Sequence, residues 1–377
     1  MTRAHHAVIT GAGVGGIETA LALRAAAGDR VHITLVNPEP RFTYRPWSVT
    51  EPFTRATTVQ MELEAFAADI GIELVVDALA GVEAGDRRVE LGGGELSYDS
   101  LVLAVGARPI PIVDGAFTFL GPANAGELTA LLDEDALGDD ARVAFVATAS
   151  AVWGLPAYEL AFYTAARARR SGKRVHVMLV IAEAAPLEAF GEAASRRVAH
   201  LLEAAGIELF TETIPASFDG ASLFVPMAGT LRCDTAVALP ALIGHPIAGV
   251  PHDASGFVPV DAHCRVEGVD GVYAVGDMTA RPLKQGGLAA QQADVAASAI
   301  AAAAGVPIAL EPYRPVLHAM LLTGEGHQYL HYPPAERTGL DGPRVTPAWL
   351  PHKIAAAHLG PYLATHGELI VQEPGRV

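Results

Sequence analysis

Strand, glycine-rich turn, helix, strand: residues 7–36 follow this order once, and residues 141–182 give strand, helix, strand again. With a Pro- and His-rich stretch after residue 316, these two blocks predict an α/β protein. Its expected architecture is two Rossmann-like dinucleotide-binding domains followed by a C-terminal α+β region.

Composition fits that class. The chain has 377 residues, 51% hydrophobic and 18% charged, enough for a packed core of two or three domains. Its 38 glycines and 26 prolines imply many tight turns, and 6% aromatics argue against an aromatic-rich recognition surface. A net charge of −16 argues against nucleic acid or anionic lipid as partner, since both need a positive surface, but leaves a local apolar membrane contact open. Cys233 and Cys264 make neither a disulfide scaffold, nor a Cys-x-x-Cys pair, nor a metal spacing. They suit a reducing compartment, so a cytoplasmic location is expected. No secretory leader is expected, because the first apolar run is a strand leading into the glycine motif. The alanine-rich stretch 289–305 is interrupted by Gln291, Gln292 and Asp294 and is too polar to span a membrane.

In order, residues 7–10 form the first strand, 17–27 a helix and 31–36 a second strand. Residues 37–56 are long and irregular, 57–70 read as a helix, 72–76 as a strand, 87–98 as a hairpin around Gly92-Gly93-Gly94, and 100–105 as a buried strand stopped by Gly106. The second block has strands at 141–148, 174–182 and 207–210, with helices at 156–171 and 191–205. The first block resumes at 256–300 with a strand at 272–275, Gly276-Asp277 and a long helix from about 285. A hairpin at 320–332 and a helix near 350–365 end the chain. The expected domains are 1–115 with 255–315, 116–254, and 316–377 as an interface region.

The most specific motif is Gly11-Ala12-Gly13-Val14-Gly15-Gly16. Placed between strand and helix, its first glycine permits a tight turn. Gly13 lets backbone approach a pyrophosphate, and Gly16 lets helix and strand pack closely. The helix start then holds the diphosphate. After the second strand, where a ribose-binding carboxylate is usual, stands Asn37, able to bond hydroxyls without charge.

LVLAVGARP (101–109) and VYAVGDMTARPLKQGGLAAQQAD (272–294) complete a set of motifs that resembles the pyridine nucleotide-disulfide oxidoreductase superfamily of flavoproteins. The resemblance implies FAD as cofactor. It implies that Gly106 closes the FAD domain and that Gly276-Asp277 places a carboxylate on the ribityl and phosphate region. It also implies that Lys284, Gln285 and Gly286 sit at the helix start aimed at the flavin pyrimidine, whose negative charge on reduction that positive end stabilises. Within the superfamily the chain is similar to the branch of sulfide:quinone oxidoreductases, flavocytochrome c sulfide dehydrogenase flavoprotein subunits and type II NADH dehydrogenases. The likeness rests on RFTYRPWSVTEPF (41–53), which brings Arg45 to the cofactor, on LPAYELA (155–161) and on PHKIAAAHLGPYLA (351–364). It implies that Glu159 is an acid-base group on the quinone side and that Lys284 acts beside the flavin. It also implies a small-molecule electron donor, a quinone acceptor, a homodimer, and peripheral contact of the C-terminal helix with the inner face of a membrane. Core or dimer packing of that helix is the other reading.

Three departures narrow the function. Residues 37–56 hold no cysteine, so no disulfide relay is expected. The second block reads Val146-Ala147-Thr148-Ala149-Ser150-Ala151-Val152-Trp153-Gly154 where nicotinamide-using members carry glycines, and these side chains crowd a pyrophosphate. Neither Cys233 nor Cys264 matches a family catalytic cysteine; both read as inert core thiols. The late histidines His318, His327, His331, His352, His358 and His366 give no metal reading. The expected function is an FAD-dependent, sulfide:quinone oxidoreductase-like enzyme. Its alternatives are an NAD(P)H-dependent flavin oxidoreductase and a non-enzymatic flavoprotein acting as a sensor or assembly partner.

Overall fold

The computed structural model describes residues 4–54, 59–133, 137–148, 153–332 and 353–366. Its α-helices are α1 (Val14–Ala27), α2 (Leu63–Ile70), α3 (Ala125–Leu131), α4 (Leu155–Ser171), α5 (Glu192–Ala204), α6 (Gly286–Ala303) and α7 (Leu359–His366).

Near-continuous apolar runs make parallel strands buried on both faces. The first sheet is such a set, in the order Val272–Ala274, Ser100–Leu103, His5–Thr10, Val31–Asn37, Glu73–Val76. Ile9 lies opposite Leu35 on one side and Val102 on the other. On one face α1 and α6 pack side by side, their alanines allowing close approach, and Ala20, Leu23, Ala296 and Ile300 share a core with Ile33 and Leu35. The other face is covered by an antiparallel sheet of Leu79–Glu83, Arg88–Leu91 and Gly94–Ser97, which buries Val82 and Val89 against Leu101 and Leu103. The expected hairpin at 87–98 is two of these strands; the third, bulged between Leu79 and Gly81, has no clean alternation to betray it.

The second lobe repeats the plan. Its parallel sheet runs Phe117–Thr118, Thr235–Ala238, Ala141–Ala147, Val175–Ile181, Glu208–Phe210. Tyr158, Leu160 and Ala161 of α4 and Val198 and Leu202 of α5 pack against Phe145 and Leu179. A three-stranded antiparallel sheet (Ser217–Phe218, Ser222–Val225, Gly229–Arg232) places Leu223 on the other face with Val146 and Met178. A short antiparallel ladder, Arg108–Ile110 with Ala241–Ile243, joins the lobes.

The C-terminal region is distinct and bridges both lobes. Its hairpin, Leu317–Leu322 with His327–Tyr332, buries Met320, Leu321 and Leu330 in the core of the second lobe. Ile354, Leu359 and Leu363 are buried in the core of the first.

Two expected helices are shortened. Within 57–70, Val59–Glu62 is a strand paired antiparallel with Arg41–Tyr44, and the helix starts at Leu63. Val-Gln-Met-Glu alternates with a period of two, which suits a half-buried strand and not a helix. At the end of the chain only Leu359–His366 is helical, and 353–358 runs irregularly because its groups bond outward to the two lobes. Positions 350–352 of that expected helix lie outside the described residues. Among the described residues no helix is long and apolar enough to cross a membrane.

Candidate functional site

Two helix N-termini meet at the open end of the first sheet. The Gly11 N–H donates to Val36 O at 2.8 Å, tying the turn to the second strand. Asn37 braces the same turn: its Oδ1 accepts from Ala12 N at 2.8 Å and its Nδ2 donates to Glu39 O at 2.8 Å. Its amide is thus engaged with the loop itself. A Cβ at Gly15 would sit 3.1 Å from Val275 Cγ2 and 3.8 Å from Gly276 N, so the first turn of α1 abuts the turn that carries Asp277. Gly106, at φ 76°, leaves the strand Ser100–Leu103, and a Cβ there would meet no protein atom within 4 Å. Gly13 is exposed, and a Cβ there would likewise meet nothing within 4 Å. The open space at Gly13 fits a dinucleotide diphosphate drawn up to the N–H groups of α1.

Gly276-Asp277 is held by a residue that sequence motifs do not single out. Gln292, buried in α6, accepts through Oε1 from Gly276 N at 3.0 Å and Thr279 Oγ1 at 3.3 Å. The visible signal was polarity, a glutamine in a helix otherwise rich in alanine. Burial raises the Asp277 carboxyl above its ordinary range, and the Lys284 and Arg45 cations oppose that rise. Arg45, Asp277 and Lys284 thus share one electrostatic neighbourhood. Lys284 is buried, donates through Nζ to Thr279 O and lies 3.8 Å from the Phe257 ring centre. Burial brings its ammonium down to about 8, against the pull of Asp277 and Asp253. Gln285 caps α6: Oε1 accepts from Leu288 N at 2.9 Å, while Nε2 donates to His318 O at 2.9 Å. A Cβ at Gly286 would lie 2.6 Å from Ile354 Cδ1, so the Ile354 side chain rests against this glycine. The C-terminal segment therefore lies directly on the first turn of α6.

Glu159 is fully buried in α4 and pairs with Lys353, a residue whose role the sequence does not announce. Lys353 Nζ lies 2.7 Å from Glu159 Oε2, with side-chain exposures of 6% and 0%. Leu322 N donates to the other carboxylate oxygen at 3.1 Å, and Lys353 Nζ also donates to Pro46 O at 2.9 Å. Burial pushes the carboxyl up and the ammonium down, and their mutual attraction opposes both shifts. Glu159 thus reaches the loop beside Arg45 through Lys353.

In the second lobe, residues 149–152 of the expected degenerate motif lie outside the described residues. Around them, Trp153 packs edge-on to Phe190 at 5.7 Å. Tyr158, in the first turn of α4, donates its hydroxyl to Glu183 Oε2 at 3.0 Å and accepts from Leu187 N at 3.1 Å. Glu183 follows the strand Val175–Ile181, where a Rossmann lobe offers a carboxylate to a ribose. Here that carboxylate holds the lobe's own tyrosine.

Both cysteines are fully buried, and burial pushes Cys233 up to about 11 and Cys264 up to about 12. A thiol so placed is neither a thiolate nor accessible. Cys233→Ser and Cys264→Ser are each expected to keep full FAD content and unchanged donor-dependent flavin reduction in anaerobic stopped flow. Loss of reduction with FAD still bound would restore a thiol mechanism. Among the described residues no group of three or more His, Cys, Asp or Glu could hold a metal. His327 and His331 stand four apart, a spacing that joins side chains on a helix, but on a strand it separates them by about 13 Å. His331 instead meets His318 across the hairpin, Nδ1 to Nδ1 at 3.0 Å.

The family model of the pyridine nucleotide-disulphide oxidoreductases matches residues 5–302. Among solved structures, the sulfide:quinone oxidoreductase of the hyperthermophilic bacterium Aquifex aeolicus is similar with a TM-score of 0.78 at 21% identity, over 87% of this chain and 83% of that one. An NAD-dependent persulfide reductase from A. fulgidus gives 0.64 at 18% identity, over 85% of this chain and 62% of that one. The ferredoxin reductase of the CYP199A2 system from Rhodopseudomonas palustris gives 0.61 at 21% identity, over 83% and 79%. Likeness at such identity speaks to fold, while the family match spans both lobes. With its glycine cradle, its paired helix starts and that match, the chain belongs to the pyridine nucleotide-disulphide oxidoreductase family and is an FAD-binding oxidoreductase.

Proposed function

We propose that this enzyme takes electrons from a small-molecule donor other than NAD(P)H and passes them through FAD to a quinone or similar acceptor. The observation that carries the reading is the second lobe's Tyr158–Glu183–Leu187 closure, which engages internally the carboxylate a nicotinamide nucleotide would need. The likeness in fold to a sulfide:quinone oxidoreductase over most of both chains supports the quinone side of it.

FAD, when bound, supplies the two-electron chemistry, and the protein supplies binding and electrostatics. Gly11, Gly13, Gly15 and Gly16 hold the diphosphate at the start of α1. Gly106, Gly276 and Asp277 frame the ribityl and phosphate region, and Arg45 and Lys284 balance the Asp277 charge. Lys284, Gln285 and Gly286 present the positive end of α6, which favours negative charge beside it. Glu159 and Lys353 share a proton in a dry site next to the Arg45–Trp47 loop, a store from which a proton can be supplied at Lys353 Nζ. Asn37 braces the glycine turn, and its amide keeps one N–H and one lone pair for a ribose hydroxyl. The apolar side chains of the C-terminal helix are buried in the first lobe, so any membrane contact is made by other residues.

Calorimetry of the FAD-loaded protein with NADH and NADPH should give no saturable heat, and neither should bleach the flavin rapidly in anaerobic stopped flow. A micromolar dissociation constant, or fast bleaching, overturns the donor assignment in favour of an NAD(P)H-dependent enzyme. Titration with sulfide, followed by a short-chain quinone, tests the other half. Flavin reduced by sulfide and reoxidised by quinone supports the proposal. Tight FAD with no turnover from any donor points to a non-enzymatic flavoprotein.

A further inference from the structure

We propose that His318 and His331, opposite one another on the C-terminal hairpin, form a two-histidine chelate for a divalent transition metal of tetragonal preference, Cu²⁺ foremost. This goes beyond the proposed reaction and does not depend on what the flavin reacts with.

The two residues stand 13 apart in sequence, so no metal-ligand spacing announces them. The antiparallel register of Leu317–Leu322 with His327–Tyr332 sets them directly opposite each other. Side chains so opposed leave the same face of the hairpin, with Cβ atoms about 5 Å apart. Here the Nδ1 atoms approach to 3.0 Å and the ring centres to 4.5 Å, with the planes tilted by 34°.

Those two distances separate two arrangements. A ring N–H aimed straight at the other Nδ1 would hold the ring centres about 5.3 Å apart, since each ring adds about 1.15 Å to the nitrogen separation. The measured 4.5 Å is shorter, so the rings lean side by side. A metal at the ordinary imidazole distance of about 2.0–2.1 Å from both nitrogens would see them at roughly 90–97° and hold the ring centres about 4.7 Å apart. The pair thus matches the chelate and not the head-on bond. An angle near 90° suits the square-planar or tetragonal preference of Cu²⁺ and Ni²⁺ better than the tetrahedral preference of Zn²⁺, and Cu²⁺ binds most tightly in the divalent series.

The hairpin is fixed before any ion arrives. Met320, Leu321 and Leu330 are buried in the core of the second lobe, and Gln285 Nε2 donates to His318 O at 2.9 Å. Little is left to order on binding, so little affinity is lost to it. Burial and the neighbouring His331 hold the half-buried His318 below the ordinary imidazole range, which leaves it neutral as a ligand must be. Without metal, one Nδ1 carries the proton shared by the pair; on binding, that proton moves through water to Nε2 of the same ring, and both Nδ1 lone pairs turn to the ion. The chain supplies two ligands, fewer than a closed structural site, and the exposed His331 leaves the remaining positions to water. The ion staples both strands of the hairpin whose His318 carbonyl holds the cap of α6.

The test is titration of the oxidised, FAD-loaded protein with Cu²⁺ at about pH 7.5, above the ordinary imidazole range, followed by calorimetry and electron paramagnetic resonance. Wild type should take up one tightly held ion per chain, with a tetragonal spectrum split by two nitrogen ligands. His318→Gln and His331→Gln should each weaken that binding by about tenfold or more. His327→Gln, on the same strand but stacked edge-on to Tyr329, should leave it unchanged. The wild-type spectrum needs no variant, so a folding defect in His318→Gln does not blunt the test. No saturable site, a spectrum without two nitrogen ligands, or binding unweakened by His331→Gln overturns the chelate.

Discussion

Gly13→Ala should weaken FAD binding by tenfold or more, about 1.4 kcal/mol, and leave the fold intact, whereas Gly16→Ala should unfold the first lobe. The contrast follows from what each added methyl would meet. At Gly16 it would lie 1.8 Å from the Gly11 carbonyl oxygen, so turn and helix could not close. At Gly13 it meets no protein atom within 4 Å, and φ −76° with ψ −173° suits any residue. The polypeptide itself therefore makes no demand for glycine at 13; in the proposed binding mode the demand comes from the diphosphate in the open space. Flavin released per chain and calorimetry on apoprotein would report affinity, while circular dichroism and thermal melting would report folding. Wild-type FAD affinity in Gly13→Ala would remove the diphosphate from this turn.

The same contrast explains how much was legible in the sequence. The first parallel sheet and three strands of the second were readable because buried strands are unbroken apolar runs and the glycine spacing marks a turn at a known place. Phe117–Thr118 and Thr235–Ala238 were not expected, the one being two residues long and the other a short run of Thr, Ala and Val. Gly276-Asp277 and the start of α6 were readable as local motifs. What escaped depends on distant partners. Gln292 looks like a polar interruption until its Oε1 is seen to hold Gly276, 16 residues away. Lys353 is a lone cation in an alanine-rich tail until it is seen to reach Glu159, 194 residues earlier. Glu18 follows the best motif in the chain, yet nothing local hints that its partners are His358 and Leu359. The strand Val59–Glu62 was missed for another reason. Its alternation was present, but the helical pattern beginning at Leu63 was extended back over it.

The buried pair gives the other large effect. Lys353→Met and Glu159→Leu should each cost about 3–5 kcal/mol of stability, because each leaves a buried ionisable group without its counter-ion, which must then give up its charge. With side-chain exposures of 0% for Glu159 and 6% for Lys353, solvent screening offers little relief. Without Lys353, the carboxyl keeps the Leu322 N–H but must take up a proton, since burial already drives it toward the neutral form. Without Glu159, the ammonium keeps only the Pro46 carbonyl and is driven toward the neutral amine. The double variant Glu159→Leu/Lys353→Met removes both charges and should recover most of the loss, so that the single effects fail to add. Urea unfolding of the four proteins, read at constant FAD saturation, measures that coupling. Additive losses would mean that the two residues act separately, and would remove the shared proton from the proposed mechanism. Strong coupling would tie the irregular segment before α7 to α4 through this contact, as the Ile354 N–H to Tyr44 hydroxyl bond at 3.0 Å ties it to the end of the strand Arg41–Tyr44, beside Arg45.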